Sequence, residues 1–229
     1  MQATQETSAI SELFSNSKFK ANFSDGSEKI TAIRWQRKGM FPSEVLAFCT
    51  LAKRLGLNRI FESGMAMGYS TEILTTLLKS PITSFDLAGY GLWRHWLTRI
   101  RLRKYKNLDI YRGNSKVMLP PMLEQSKGDD RVGLIIDGPK GLAAVELADT
   151  LARRFSQIRL IGIHDIGQGR DSEFRRLYQG LGWQGFATDD QQFRAHVGIL
   201  DEQIITDSGF EEAIRKYPRG PGIGLCWID

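Results

Sequence analysis

The sequence predicts an α/β fold, with helices on both faces of a mostly parallel seven-stranded sheet. Three observations lead there. Short apolar runs alternate with segments of helical periodicity long enough to cross back over a sheet. The first run ends in an acid followed by small residues, Glu62-Ser-Gly64-Met-Ala66-Met-Gly68. Polar residues also close the other central runs: Asp86, Asn114, Asp137 and the pair His164-Asp165.

Taken in order, residues 1 to about 30 are polar and rich in Ser, Asn and Lys, with Ile10, Leu13 and Phe14 forming one short helical face. Residues 1–40 therefore read as an N-terminal helical arm or cover, and 41–229 as the main domain. From Pro42 to Leu55 apolar residues recur at helical spacing; Pro42 and Ser43 suit the start of that helix and Gly56 its stop. Strands are expected at Arg59–Glu62, Ile82–Asp86, Leu108–Arg112, Val132–Asp137 and Ile158–His164. Helices are expected at Ser70–Lys79, about Leu142–Phe155 and Asp171–Leu181. Ala195–Leu200 and Ile223–Ile228 read as the closing strands.

Composition narrows the class. The chain has 229 residues, 41% apolar and 25% charged, which fits one soluble globular domain. No run approaches the length of a membrane span, and the first ten residues lack the apolar core of a signal peptide. Cys49 and Cys226 lie far apart in apolar surroundings and read as buried thiols, so the expected compartment is a reducing cytoplasm. A net charge of +5 suits an anionic partner. No recognised RNA-binding module is present, which argues against nucleic acid.

In parallel α/β sheets, ligands bind beyond the carboxyl ends of the strands, where the strand order switches. Small residues after the first strand let backbone approach such a ligand closely. A dinucleotide fingerprint would require Gly-x-Gly-x-x-Gly, but counting from Gly64 puts Ala66 and Tyr69 at the second and third glycine positions. Glu-x-Gly-x-Ala-x-Gly instead resembles the first motif of class I S-adenosylmethionine-dependent methyltransferases. The resemblance continues through Val132-Gly-Leu-Ile-Ile-Asp137-Gly-Pro-Lys140-Gly and Ile161-Gly-Ile-His164-Asp165, a pattern similar to the small-molecule O-methyltransferase branch, and covers roughly residues 40–200.

This resemblance implies a Rossmann-like three-layer sandwich with an antiparallel closing strand, and S-adenosylmethionine as cofactor. Backbone at Gly64, Ala66 and Gly68 would follow the amino-acid part of the cofactor, with Glu62 orienting it. Asp86 would accept hydrogen bonds from the ribose hydroxyls, and Asn114 would meet the adenine amine. Ser70 and Ser115 complete the cofactor-binding candidates. Structural alternatives stand beside these roles: Asp86 also suits a helix cap or turn, and Asn114 a turn.

Asp137, His164 and Asp165 are the catalytic candidates. Asp137 and Asp165 are also the metal candidates, since related metal-dependent enzymes use acids at matching strand ends and a hard cation such as Mg²⁺ lowers a hydroxyl's pKa. His164 is the candidate general base. Strand alternation would point His164 and Asp165 to opposite sides. Lys140 is expected to face solvent or an anionic substrate.

The segment Gly91–Asn107 holds six Lys or Arg residues and no acid, with Trp93, Trp96, Leu97 and Ile100 on one helical face. Three readings stay open: a surface helix whose aromatic side packs on the sheet, a peripheral membrane contact, or a contact to an anionic substrate. The expected partner is a small-molecule or sugar acceptor. The rival functions are a non-catalytic adenosyl-binding or anionic-surface docking module, and a nicotinamide-dependent oxidoreductase.

Overall fold

The computed structural model describes residues 3–37, 39–126, 128–166, 171–218 and 220–229. Three helices come first: α1 (Ala3–Ser15), α2 (Ser17–Ile30) and α3 (Pro42–Arg54). Then follow β1 (Arg59–Ser63), α4 (Tyr69–Leu77), β2 (Ile82–Asp86), α5 (Leu92–Leu102), β3 (Leu108–Arg112), α6 (Ser115–Glu124) and β4 (Val132–Ile136). The chain ends with α7 (Leu142–Arg154), β5 (Ile158–His164), α8 (Asp171–Leu181), β6 (Gln184–Ala187), α9 (Gln191–Asp207), α10 (Glu211–Lys216) and β7 (Ile223–Trp227).

The seven strands form one sheet in the order β3-β2-β1-β4-β5-β7-β6. β7 runs antiparallel between β5 and β6, and the other neighbouring pairs are parallel. The order reverses between β1 and β4, so the crevice of a doubly wound sheet opens beyond Ser63 and Ile136.

Strand alternation divides the core into two layers. Ile60, Ile135 and Leu160 face one layer with α1 to α4 and α9, whereas Phe61, Leu134 and Ile161 face the other with α6, α7 and α8. Phe48 of α3 packs on β4 and β5 where Gly133 and Gly162 leave room; a Cβ at either would lie 3.1–3.2 Å from its ring. Helix α3 thus sits tightly on the centre of the sheet. The N-terminal arm is part of this core, because Ile10, Leu13, Phe19 and Ile30 are buried in the same cluster as Phe48 and Leu51. Cys49 and Cys226 are buried free thiols on opposite faces of the sheet.

One expected element is overturned. Ala195–Leu200 lies inside α9 and is helical, and the closing strand on that side is Gln184–Ala187. The apolar cluster at 195–200 suggested a strand, but burial follows Phe193, Val197, Asp201, Ile204 and Ile205, which is helical spacing. Helix α9 is capped by Asp190, whose carboxylate accepts from the Gln192 and Phe193 amides. Pro120 and Pro121 masked α6, which starts at Ser115 with Asn114 as its cap. No helix among the described residues is long and apolar enough to cross a membrane.

Candidate functional site

A cleft of about 1140 Å³ opens at the carboxyl edge of the sheet. Ser63, Gly64, Ala66, Asp86, Asn114 and Ser115 line it, and so do Asp137, Lys140, His164 and Asp165. The polar strand ends therefore converge on one space, with the exceptions described below.

Local sequence explains the turn after β1. Gly64 has φ +96° and Ala66 φ +49°, so the chain bends through left-handed conformations that a glycine accepts most readily. A Cβ on Gly64 would stand 2.8 Å from Gly138 N and 2.9 Å from the Asp137 carbonyl carbon, so the turn presses directly on the loop after β4. Asp137 and Gly138 donate their amides to the Ser63 carbonyl at 2.7 and 3.0 Å. The Ser63 and Ser115 hydroxyls, 2.6 Å apart, both address the carbonyl of Gly138.

Asp86 braces the turn from β2. One carboxylate oxygen accepts from the Ala66 amide at 2.8 Å and the other from the Ala88 amide at 2.5 Å. A carboxylate offers about four acceptor sites, so these two bonds leave capacity for hydroxyls arriving from the cleft. Asn114 lines the cleft while its side-chain oxygen accepts from Lys116 N at 3.0 Å as the cap of α6.

Three cofactor candidates lie behind the cleft wall. Glu62 is fully buried, and Ser70, Thr71 and Ser84 donate their hydroxyls to it at 2.5–2.6 Å. Burial pushes its carboxyl above the ordinary value, and the Ser70, Ser84 and Thr71 hydroxyls partly offset that. Glu62 and Ser70 therefore pin the start of α4 to β1 and β2 beneath the turn. Gly68, with φ +75°, precedes α4, and a Cβ there would meet Thr98 and Leu102 of α5 at 2.7 and 2.9 Å. Its need for glycine comes from the left-handed backbone and from helix packing together. These three residues shape the turn from below and do not line the cleft.

The ends of β4 and β5 carry a chain of alternating charge. His164 is buried with Nδ1 2.5 Å from Asp137 Oδ1 and Nε2 3.4 Å from Glu44 Oε2. Glu44, itself fully buried at the start of α3, accepts from the Phe41 amide at 2.7 Å and the Gly222 amide at 2.9 Å. Lys140 contacts Asp137 and reaches Asp165 at 2.7 Å. The sequence is acid, imidazole, acid, ammonium, acid.

These contacts bear on three expectations. Burial works against charge on His164, yet Asp137 and then Glu44 outweigh it and push the imidazole up to about 10. Two carboxylates beside the ring favour its charged, hydrogen-bond-donating form, which works against a general-base role for His164. Asp165 has φ +60°, which breaks the strand alternation and brings its carboxylate to 3.5 Å from the imidazole of His164. Lys140 bridges two carboxylates while about half of its side chain stays exposed.

The metal candidates lie together, with a lysine between them. Asp137, His164 and Asp165 place one donor atom each within 4.8 Å of one another. The Lys140 ammonium bridges the two carboxylates. Mg²⁺ is commonly held by one or two carboxylates with waters completing its shell, so a cation there would have to displace the Lys140 ammonium from between Asp137 and Asp165. Burial raises Asp137, but the His164 and Lys140 charges win and hold it below the usual carboxylate range. Burial likewise opposes charge on Lys140, and Asp137 and Asp165 hold its pKa above the ordinary value.

The far wall of the cleft comes from segments the sequence reading left without a role. Trp35, Arg37 and Phe41 line it from the connection between α2 and α3, and Phe210, Lys216 and Tyr217 from around α10. Trp35 meets Phe210 edge-on at 5.3 Å between ring centres, and its backbone amide donates to Ser208 Oγ at 2.8 Å. An aromatic inside the basic stretch Arg34-Trp35-Gln-Arg37 was the available signal.

No protein-family model and no curated protein matches the chain. Solved structures do match in shape. The O-methyltransferase TomG from Streptomyces achromogenes, involved in tomaymycin synthesis and solved with SAM, gives a TM-score of 0.55 at 10% identity, over 90% of this chain and 89% of that one. Cofactor-bound Rv0187 from MTB gives 0.50 at 14% identity, over 98% and 96%. The strand order, the antiparallel β7 and these superpositions agree: this chain has the Rossmann-like fold of class I S-adenosylmethionine-dependent methyltransferases.

Proposed function

We propose that the protein is an S-adenosylmethionine-dependent methyltransferase acting on an oxygen of a small molecule or sugar. The observation that carries this reading is the convergence of the Gly64–Ala66 turn and the Asp86 carboxylate on one large cleft at the switch point of the sheet. The residues fit the cofactor: the turn is bent to expose backbone, and Asp86 keeps acceptor capacity for a diol. Bound there, the cofactor would supply an electrophilic methyl group on a sulfonium. TomG, of the same fold, is described as an O-methyltransferase and was solved with SAM, which supports both cofactor and reaction class.

The protein's own contribution is alignment and electrostatics. Holding an acceptor against the donor can lower a barrier by roughly 7–11 kcal/mol through prepaid entropy. Lys140, half-exposed to the cleft, offers an ammonium that stabilises an acceptor oxygen as its proton passes to water in the open cleft. Asp137 and Asp165 hold that ammonium in place, and His164 with Glu44 fixes Asp137 from behind. Trp35 and Phe41, both almost wholly buried, back an apolar wall on the acceptor side, and Tyr217 adds a partly exposed ring.

Titration calorimetry with S-adenosylmethionine, S-adenosylhomocysteine and NAD tests the reading. Binding of the first two, weakened roughly tenfold or more by Asp86→Ala through loss of charge-assisted hydrogen bonds, is expected. Tight NAD binding without response to the adenosyl ligands would refute it and favour an oxidoreductase.

A further inference from the structure

Helix α5 is amphipathic in the opposite sense to a packed surface helix. Its buried residues are His95, Thr98 and Leu102, the first two of them polar. At about 100° per residue, Leu92, Trp93, Trp96, Leu97 and Ile100 cluster on the opposite side. All five are exposed, Trp93 at 66% and Trp96 at 49%. The aromatic side therefore does not pack on the sheet, which overturns that reading of the segment. The two indoles stack on each other, 4.7 Å between ring centres, and still face solvent. Exposed Leu87 and Tyr90 extend this apolar strip to the cleft that they help to line.

The charge around the strip is of one sign. Arg101 and Lys104 lean back towards Glu72, at 3.7 and 3.1 Å. Arg94, Arg99 and Arg103 have no carboxylate within ion-pair distance among the described residues. An apolar face with tryptophans, edged by arginines on a helix too short and polar to span, has the chemistry of an interfacial helix. A second copy of the chain fits poorly, because a twofold contact would set two cationic rims against each other.

We infer that α5, with Leu87 and Tyr90, docks the protein on an anionic lipid bilayer, the indoles entering the headgroup region and Arg94, Arg99 and Arg103 meeting lipid phosphates. Docking there sets the cleft mouth at the bilayer surface. This surface stands apart from the methyl-transfer reading, and adenosyl-ligand binding in solution tests only the latter.

Co-sedimentation with vesicles decides the matter. One set contains phosphatidylcholine alone, the other phosphatidylcholine with about one-third phosphatidylglycerol, a proportion that supplies an anionic surface. Binding to the anionic set is expected to exceed that to the neutral set roughly tenfold or more and to fall steeply with salt. Trp93→Ser with Trp96→Ser should abolish it, as should Arg94→Gln with Arg99→Gln and Arg103→Gln. The salt titration on the unaltered protein stands even if a variant misfolds. Equal binding to both vesicle types, no binding to either, or retention by both variants would overturn the inference. So would a dimer in solution that the tryptophan variant converts to monomer.

Discussion

Replacing His164 by Gln probes the charge chain most directly. The side chain keeps polar reach but can no longer carry a positive charge between Asp137 and Glu44. An imidazole raised from 6.5 to about 10 gains roughly 5 kcal/mol from being protonated in place, at about 1.36 kcal/mol per pH unit. Breaking a buried ion pair by removing one partner typically costs about 3–5 kcal/mol, so the two routes agree in size. The raised pKa means that the stabilisation is complete below the unfolded value near 6.5 and is lost as pH climbs through about 10. Urea unfolding of both proteins at several pH values should therefore give a gap of about 3–5 kcal/mol near pH 6 that closes towards pH 10. Titrations common to both proteins cancel in the difference. A gap under about 1 kcal/mol near pH 6, or one that does not narrow with rising pH, would refute the imidazolium assignment.

Two other perturbations address the cleft. Gly64→Ala forces a side chain onto the Asp137–Gly138 backbone at a φ of +96°. Calorimetry should show S-adenosylhomocysteine affinity falling by roughly tenfold or more, with a stability loss of about 1–3 kcal/mol. Lys140→Met removes the ammonium that bridges Asp137 and Asp165. Turnover should drop by roughly a hundredfold while adenosyl-ligand affinity holds, and EDTA should leave the unaltered enzyme's turnover unchanged; a loss of activity with EDTA, restored by Mg²⁺, would show that a metal displaces the lysine.

Six of the seven strands and the turn after the first were legible in the residues, whereas β6 at Gln184–Ala187 was not. Apolar runs at β1, β2, β4 and β5 have no other stable use than strands buried on both faces, and the acid-then-glycine turn after β1 follows from backbone sterics alone. Those are local properties, legible one segment at a time. What tertiary structure decided is where side chains point once the strands stop. The positive φ of Asp165 reverses the alternation that extended backbone would impose. His164 is pushed towards its charged form because Asp137, and Glu44 from α3, sit on either side of the ring. Glu62 and Asp86 are both acids at strand ends, yet one is sealed under three hydroxyls and the other borders open space. Ala195–Leu200 went to a helix because its partners Phe193, Asp201 and Ile204 lie a turn away on either side. The outward turn of α5 has the same origin: periodicity gives a helix its two faces, and only the packing of Thr98 and Leu102 on Gly68 chooses which face is buried.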